Sequence, residues 1–230
     1  MSLALSFDPQ DRTALSNRGS AYAMLGAFDM AFSDFRAVLS IDRDDFNSWL
    51  GLLSIYWQQK RYDLAIEAID EAIRIQPQNG ALYLTRGYVY RDKGDLDGAI
   101  SDFDKAISVL PNYSYMLTDR CVLLSMVGRH AEGLASCEAA IAKWPDQAGG
   151  YFARGIVNLH MKRADDAIAD FDKAIAIGSP AATTPASPLY GRGVAKRLKG
   201  DNAGGDADMA AAQAVDPLVV ERMRKSGVKP

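Results

Sequence analysis

One pattern recurs every 34 residues along most of this 230-residue chain, and it leaves few folds open. Its clearest copy runs from Gly80 to Tyr113. Tyr83, Gly87 and Tyr90 stand at helical spacing in the first half, and Ala99, Phe103 and Ala106 do so in the second. Gly94 falls where a first helix must stop, because a residue without a side chain adopts the left-handed C-terminal conformation cheaply. Asp95 follows as an N-cap for a second helix, and Pro111 closes the copy. Two amphipathic helices of this size cannot bury their apolar faces alone. They need neighbours of the same kind.

The chain supplies them. Tyr83 maps onto Leu15, Trp49, Leu117 and Tyr151, and the small residue Gly87 onto Gly19, Cys121 and Gly155, with Leu53 a bulky departure. Phe103 recurs as Phe35, Ile69, Cys137 and Phe171. A sixth copy follows after four extra residues and carries Leu189, Gly193, Met209, Ala212 and Pro217. The boundaries read 12–45, 46–79, 80–113, 114–147, 148–181 and 186–219, with a Pro-rich insertion at 182–185. Residues 1–11 read as the tail of a truncated preceding repeat, which makes the chain an expected piece of a longer protein. From Gly178 to Pro188 three prolines predict a loop. Leu218 to Lys225 predicts a short capping helix with Leu218, Val219 and Met223 on one side, and 220–230 hold its end and a tail.

This period and order of large, small and aromatic residues resemble the tetratricopeptide repeat (TPR) family over essentially the whole chain. The resemblance implies an all-α fold: a right-handed superhelical solenoid of antiparallel helix pairs whose concave groove holds a peptide or protein segment. It also implies that the first helices line that groove, through Trp57, Leu84, Tyr88, Arg91, Tyr115, Asp119, Phe152, Ile156 and Tyr190. The two-carboxylate clamp of chaperone-binding relatives is not supplied by any three successive repeats here. The asparagine ladder of relatives attached to sugar transferases begins at Asn17 and does not continue. An aromatic and aliphatic groove remains, suited to apolar anchors.

One feature departs from the family. Arginine replaces the usual aliphatic residue at Arg18, Arg86, Arg120, Arg154 and Arg192. Sixteen residues later stand Asp34, Asp102, Asp170 and Asp208 on the second helix of the same repeat, whereas the second repeat has Leu52 and Ala68 and lacks both charges. The spacing predicts bidentate ion pairs at Arg18–Asp34, Arg86–Asp102, Arg154–Asp170 and Arg192–Asp208 that fix how two helices meet. An arginine ladder for an acidic ligand is the competing reading. Arg120 faces Ser136 and needs another acceptor.

Cys121 and Cys137 fall on facing core positions of one repeat, and the favoured reading is two small buried hydrophobes. A disulfide, which would imply an oxidising compartment such as a periplasm, is the alternative. Two cysteines without a second pair make no zinc site, so no metal and no cofactor are expected. His130 and His160 lie near helix ends, and no catalytic or phosphate-loop motif accompanies them. A net charge of −3 argues against nucleic acid as partner, and no apolar run is long enough for a membrane span. The expectation is a non-catalytic scaffold for a protein or peptide partner. The alternatives are self-assembly through the open N-terminal end, or a regulatory or targeting arm of a larger enzyme or of a secretion or assembly complex. The compartment stays open between cytoplasm and periplasm.

Overall fold

The structure, a computed structural model, describes residues 10–110, 112–178 and 186–229. Every regular element among them is a helix, and they divide into two compact units, residues 1–109 and 110–230. The first unit holds α1 (Arg12–Met24), α2 (Phe28–Ile41), α3 (Phe46–Gln58), α4 (Tyr62–Ile75), α5 (Gly80–Lys93) and α6 (Leu96–Val109). The second holds α7 (Ser114–Met126), α8 (His130–Lys143), α9 (Ala148–His160), α10 (Ala164–Ile177), α11 (Ala186–Lys199), α12 (Asn202–Val215) and α13 (Val219–Lys225). Consecutive helices pair as antiparallel hairpins, and within each unit the hairpins stack on one another.

Local chemistry explains the boundaries. The side chains of Asp11, Asp45, Asp95 and Asp201 each accept a hydrogen bond from the backbone three residues on, at 2.7–3.0 Å, and so start α1, α3, α6 and α12. The turn inside every hairpin passes through one left-handed residue. It is Gly26, Gly94, Gly128 or Gly200 in four hairpins, but Lys60 and Lys162 in the other two, at φ 58° and 57°. Lysine holds that conformation at a cost that glycine avoids.

The core repeats one contact. Phe35 lies between two glycines: a Cβ added at Gly19 would stand 3.0 Å from its ring, and one at Gly51 only 2.4 Å away. Phe171 sits in the same way between Gly155 and Gly191, at 2.8 and 2.6 Å. Each ring therefore wedges its own first helix against the first helix of the next repeat. The second repeat solves the same space with different volumes, because Leu53 replaces the glycine and Ile69 the phenylalanine, both buried.

Three expectations need correction or restriction. Ala186 to Pro188 belong to α11 rather than to a loop, since Pro188 falls in the first turn, where its missing N–H goes unneeded. Leu218 is 63% exposed and packs no cap; the apolar side of α13 is Val219 and Met223, joined by Val228. The truncated-repeat reading of residues 1–9, Pro111 as a stop, and the insertion at 182–185 lie outside the described residues.

Candidate functional site

Arginine–aspartate pairs position the first helices. Arg18 Nε and Nη2 donate to the two carboxylate oxygens of Asp34 at 2.8 and 2.7 Å. Arg86 grips Asp102 at 2.7 and 2.7 Å, and Arg192 grips Asp208 at 2.6 and 2.7 Å. Arg154 Nε and Nη2 reach Asp170 at 3.0 and 2.7 Å, and Asn158 adds a third donor at 2.9 Å. All four aspartates are nearly buried. Burial pushes the Asp208 carboxyl up, but hydrogen bonds from Arg192 and Lys196 outweigh it and hold it below the ordinary carboxylate range. With their forks turned inward on these acids, the four arginines do not form an open ladder for an acidic ligand.

A second acid was missed in the sequence. Arg86 Nη1 also donates backwards to Asp70 of the preceding second helix at 2.6 Å, and Arg192 Nη1 to Asp172 at 2.8 Å. Glu138 stands in the matching place for Arg154 and raises its pKa electrostatically, after the larger effect of Asp170. The signal was an acid preceding Arg86 and Arg154 by 16 residues, and Arg192 by 20 across the insertion. Arg86 and Arg192 thereby tie their own hairpins to the ones before.

The predicted groove residues separate into three groups. In the first unit, Trp57, Tyr88 and Arg91 form one half-buried network. Trp57 Nε1 donates to Asp92 Oδ2 at 2.9 Å, and Arg91 donates to Asp92 Oδ1 at 3.0 Å. The Arg91 guanidinium lies 4.8 Å above the Tyr88 ring, which meets Phe103 edge-on at 5.2 Å. In the second unit, Tyr115 is 44% exposed and pairs with Tyr113, Asp119 is half-buried, and Phe152 leans half-buried on Phe171. Leu84, Ile156 and Tyr190 are 8%, 0% and 1% exposed. They are corrected out of the groove set, since they face neighbouring helices and have no surface left for a ligand. Periodicity could not separate them, because helix-facing and ligand-facing positions share one stripe. Asp92, which organises the first group, carried no repeat signal.

Cys121 and Cys137 are joined by a disulfide, with Cα atoms 5.5 Å apart, which corrects the reading of two separate thiols. The bond takes the place that the Gly87–Phe103 contact fills in the preceding repeat. Opposite Arg120, Ser136 donates to the backbone carbonyl of Leu117 at 3.0 Å. The two histidines also meet: Ser125 Oγ lies 2.7 Å from His160 Nδ1 and 3.1 Å from His130 Nδ1. One hydroxyl proton can serve only one of these nitrogens, so the other imidazole must carry its own Nδ1–H. Burial, and then the neighbouring His130, lower the His160 pKa, while the backbone at Ser226 and Gly227 acts the other way. Among the described residues no cluster of three metal-ligating side chains occurs, and no helix is long and apolar enough to cross a membrane.

Known proteins resemble this chain in sequence or in fold. The fission-yeast (Schizosaccharomyces pombe) anaphase-promoting complex subunit 3 is 24% identical over 168 residues, 73% of this chain and 25% of that protein. The human mitochondrial import receptor subunit TOM70 is 26% identical over 184 residues, 74% of this chain and 30% of its own length. The chain thus spans less than a third of these curated relatives. Among solved structures, a tetratricopeptide repeat protein from Parabacteroides merdae superposes with a TM-score of 0.72 at 18% identity, covering 99% of this chain and 90% of that one. PilW, a type IV pilus biogenesis factor, gives 0.69 at 17% identity, covering 93% and 98%. YrrB, a TPR protein with an unusual peptide-binding site, gives 0.63 at 19% identity, covering 77% and 91%. Two tetratricopeptide-repeat family profiles match, one at residues 33–80, 50–116 and 127–182 and the other at 13–45. Most of the chain is covered by these matches, and with its paired antiparallel helices it belongs to the tetratricopeptide repeat family.

Proposed function

We propose that this chain is a non-catalytic protein-interaction scaffold, built from the six repeats delimited above, that holds a peptide segment against its first helices. The observation that carries this reading is the Trp57–Asp92–Arg91–Tyr88 network. Two aromatic rings and a guanidinium from successive first helices are pinned in place while still partly open to solvent. Residues of these types dominate binding energies, and prior fixation reduces the entropy lost when a ligand docks. TPR proteins in general mediate protein–protein contacts, which supports the class of partner. The Cys121–Cys137 bond supports an oxidising compartment for the scaffold.

Selection of peptides from a displayed library, followed by titration of the winners, tests the proposal. Trp57→Ala combined with Arg91→Ala, shown by circular dichroism to be folded, should weaken the selected peptides at least tenfold. Undiminished binding would remove this face from the function. Self-assembly is favoured by one observation: Met24, Leu25 and Met30 of the first hairpin are 89%, 81% and 56% exposed. A mass that rises with concentration in light scattering, and falls back in a Met24→Ser, Leu25→Ser variant, would establish it in place of peptide recognition.

A further inference from the structure

Repeat 2 breaks the arginine pattern, and a pocket lies at the break. In the third repeat the Arg86 guanidinium sits between Asp70 behind and Asp102 ahead. The same three places in the second repeat are held by Arg36, Leu52 and Ala68. The polarity is reversed: the centre is apolar and the flanking position carries the cation. An arginine at position 52 would face Arg36, so the exchange of all three residues is one coherent change rather than three.

Leu52 and Ala68, which stand in the places of Arg86 and Asp102, line the floor of a cavity of about 520 Å³ among α2, α3 and α4. That volume lies in the range of sites that take a small ligand or a side-chain anchor. Leu39, Leu52, Leu64 and Ala68 make its apolar lining, and Trp49 and Tyr56 add two aromatic side chains. Trp49 is fixed by a hydrogen bond from Nε1 to the Arg43 carbonyl at 2.8 Å. Arg43, also at the pocket, is already paired with Glu71 at 3.0 Å. Arg36 stacks near Phe32 at 5.5 Å and has no carboxylate partner among the described residues. Glu67 is the one carboxylate of the lining, and it disfavours a ligand carrying more than one negative charge. Trp49, Leu52 and Tyr56 share a face of α3 at helical spacing, and Trp57 lies on a different one, so this pocket is separate from the network proposed above as the groove.

We propose that the pocket binds a protein segment in which a large apolar side chain stands next to a single carboxylate. The apolar side chain enters against the half-buried Leu39, Trp49, Tyr56 and Leu64, with Leu52 and Ala68 as the buried floor, and the carboxylate meets the exposed Arg36 guanidinium at the rim, with the fork geometry that arginine offers a carboxylate. The segment supplies the acid that the first, third, fifth and sixth repeats carry within the chain.

The test is a titration of the isotope-labelled chain with acetyl-Ser-Glu-Phe-Ser-amide, followed by heteronuclear NMR. The expected result is saturable shifts at the Trp49 indole N–H and the Arg36 Nε–H. Replacing the peptide's glutamate by glutamine, or its phenylalanine by alanine, should weaken binding at least tenfold. Arg36→Asp with Leu52→Arg and Ala68→Asp rebuilds the third repeat's ion-pair seat; it should abolish these shifts and leave selection of groove peptides intact. If that variant fails to fold, Arg36→Gln alone should still weaken the peptide at least tenfold. Shifts confined to Trp57 and Tyr88, equal binding of the glutamine peptide, equal binding by the variants, or no saturable shift would each overturn the proposal.

Discussion

The third and fourth hairpins occupy adjacent 34-residue windows and close the same two contacts with different chemistry. In α5 and α6 an aromatic ring lies on a glycine: a Cβ at Gly87 would stand 2.9 Å from the Phe103 ring. In α7 and α8 the same pair of positions, again sixteen apart, is the Cys121–Cys137 disulfide. Beside that contact, Arg86 and Asp102 form a bidentate ion pair at 2.7 Å in the third hairpin. In the fourth, Ser136 instead donates to the Leu117 carbonyl at 3.0 Å. The repeat therefore specifies a distance between two helix axes and a polar tie next to it. Packing, covalent bonding and ion pairing are interchangeable ways of meeting those demands.

The comparison breaks most easily at the ring. Phe103 is fully buried, and Phe103→Ala should cost about 3–5 kcal/mol, as aromatic truncations in close-packed cores do. Urea unfolding followed by the first unit's tryptophans reads this directly. A loss under about 1 kcal/mol would mean that the ring is not the wedge and that the two hairpins are not alternatives to each other.

Next in size is the covalent counterpart. Cleaving a bond that spans sixteen residues should cost about 3 kcal/mol, chiefly by freeing the unfolded chain. Hydrogen exchange with and without dithiothreitol separates the hairpins: amides of α7 and α8 should lose protection and those of α5 and α6 should not. Equal loss in both, or none in either, would remove the disulfide as the substitute for the ring.

The polar ties rank below. Asp102→Ala removes a charge-assisted bond and should cost about 2 kcal/mol, whereas Ser136→Ala removes a neutral one and should cost about 1 kcal/mol. Arg86 keeps Asp70 in the first case, which limits the loss. If the serine variant proved the more damaging, the ion pair would be ornamental and the backbone hydrogen bond the real tie.

How much of this could be read from the residues follows from what repeats. Helix pairs, turn positions and the arginine–aspartate spacing recur with the period, so aligning copies exposes them. Gly94 as a stop and Asp95 as a cap both stand where the spacing puts them, at φ 93° and with a hydrogen bond from Gly98 N. What does not repeat stayed hidden. Asp92 organises Trp57 and Arg91 from one repeat only, and the emptied seat at Leu52 was visible as a missing charge pair but not as a cavity. Leu84, Ile156 and Tyr190 were misplaced because stacking buries one flank of the first-helix stripe, and a single helix does not reveal which flank. The cysteines were read as thiols because burial alone suits a bonded and an unbonded pair equally.

The smallest effect sharpens the comparison through pH. Ser125 and the two histidines belong to the fourth hairpin and its neighbour, while the third hairpin has Arg91 and Leu96 where Ser125 and His130 stand. Burial lowers the His160 pKa, with His130 adding to it, so the folded state takes up its proton at lower pH than the unfolded state, whose histidines titrate at about 6.5. Across that interval the unfolded chain binds more protons, and stability must fall as pH falls. The contribution is intact above the unfolded value and is lost on acidification through the lowered folded value. Thermal melts of the second unit should therefore slope downward from neutral pH into the mildly acidic range, and His160→Gln should flatten that slope while a glutamine side chain retains a polar contact with Ser125. A slope unchanged in the variant would assign the acid sensitivity elsewhere and make the serine bridge between the two imidazoles a packing contact like any other.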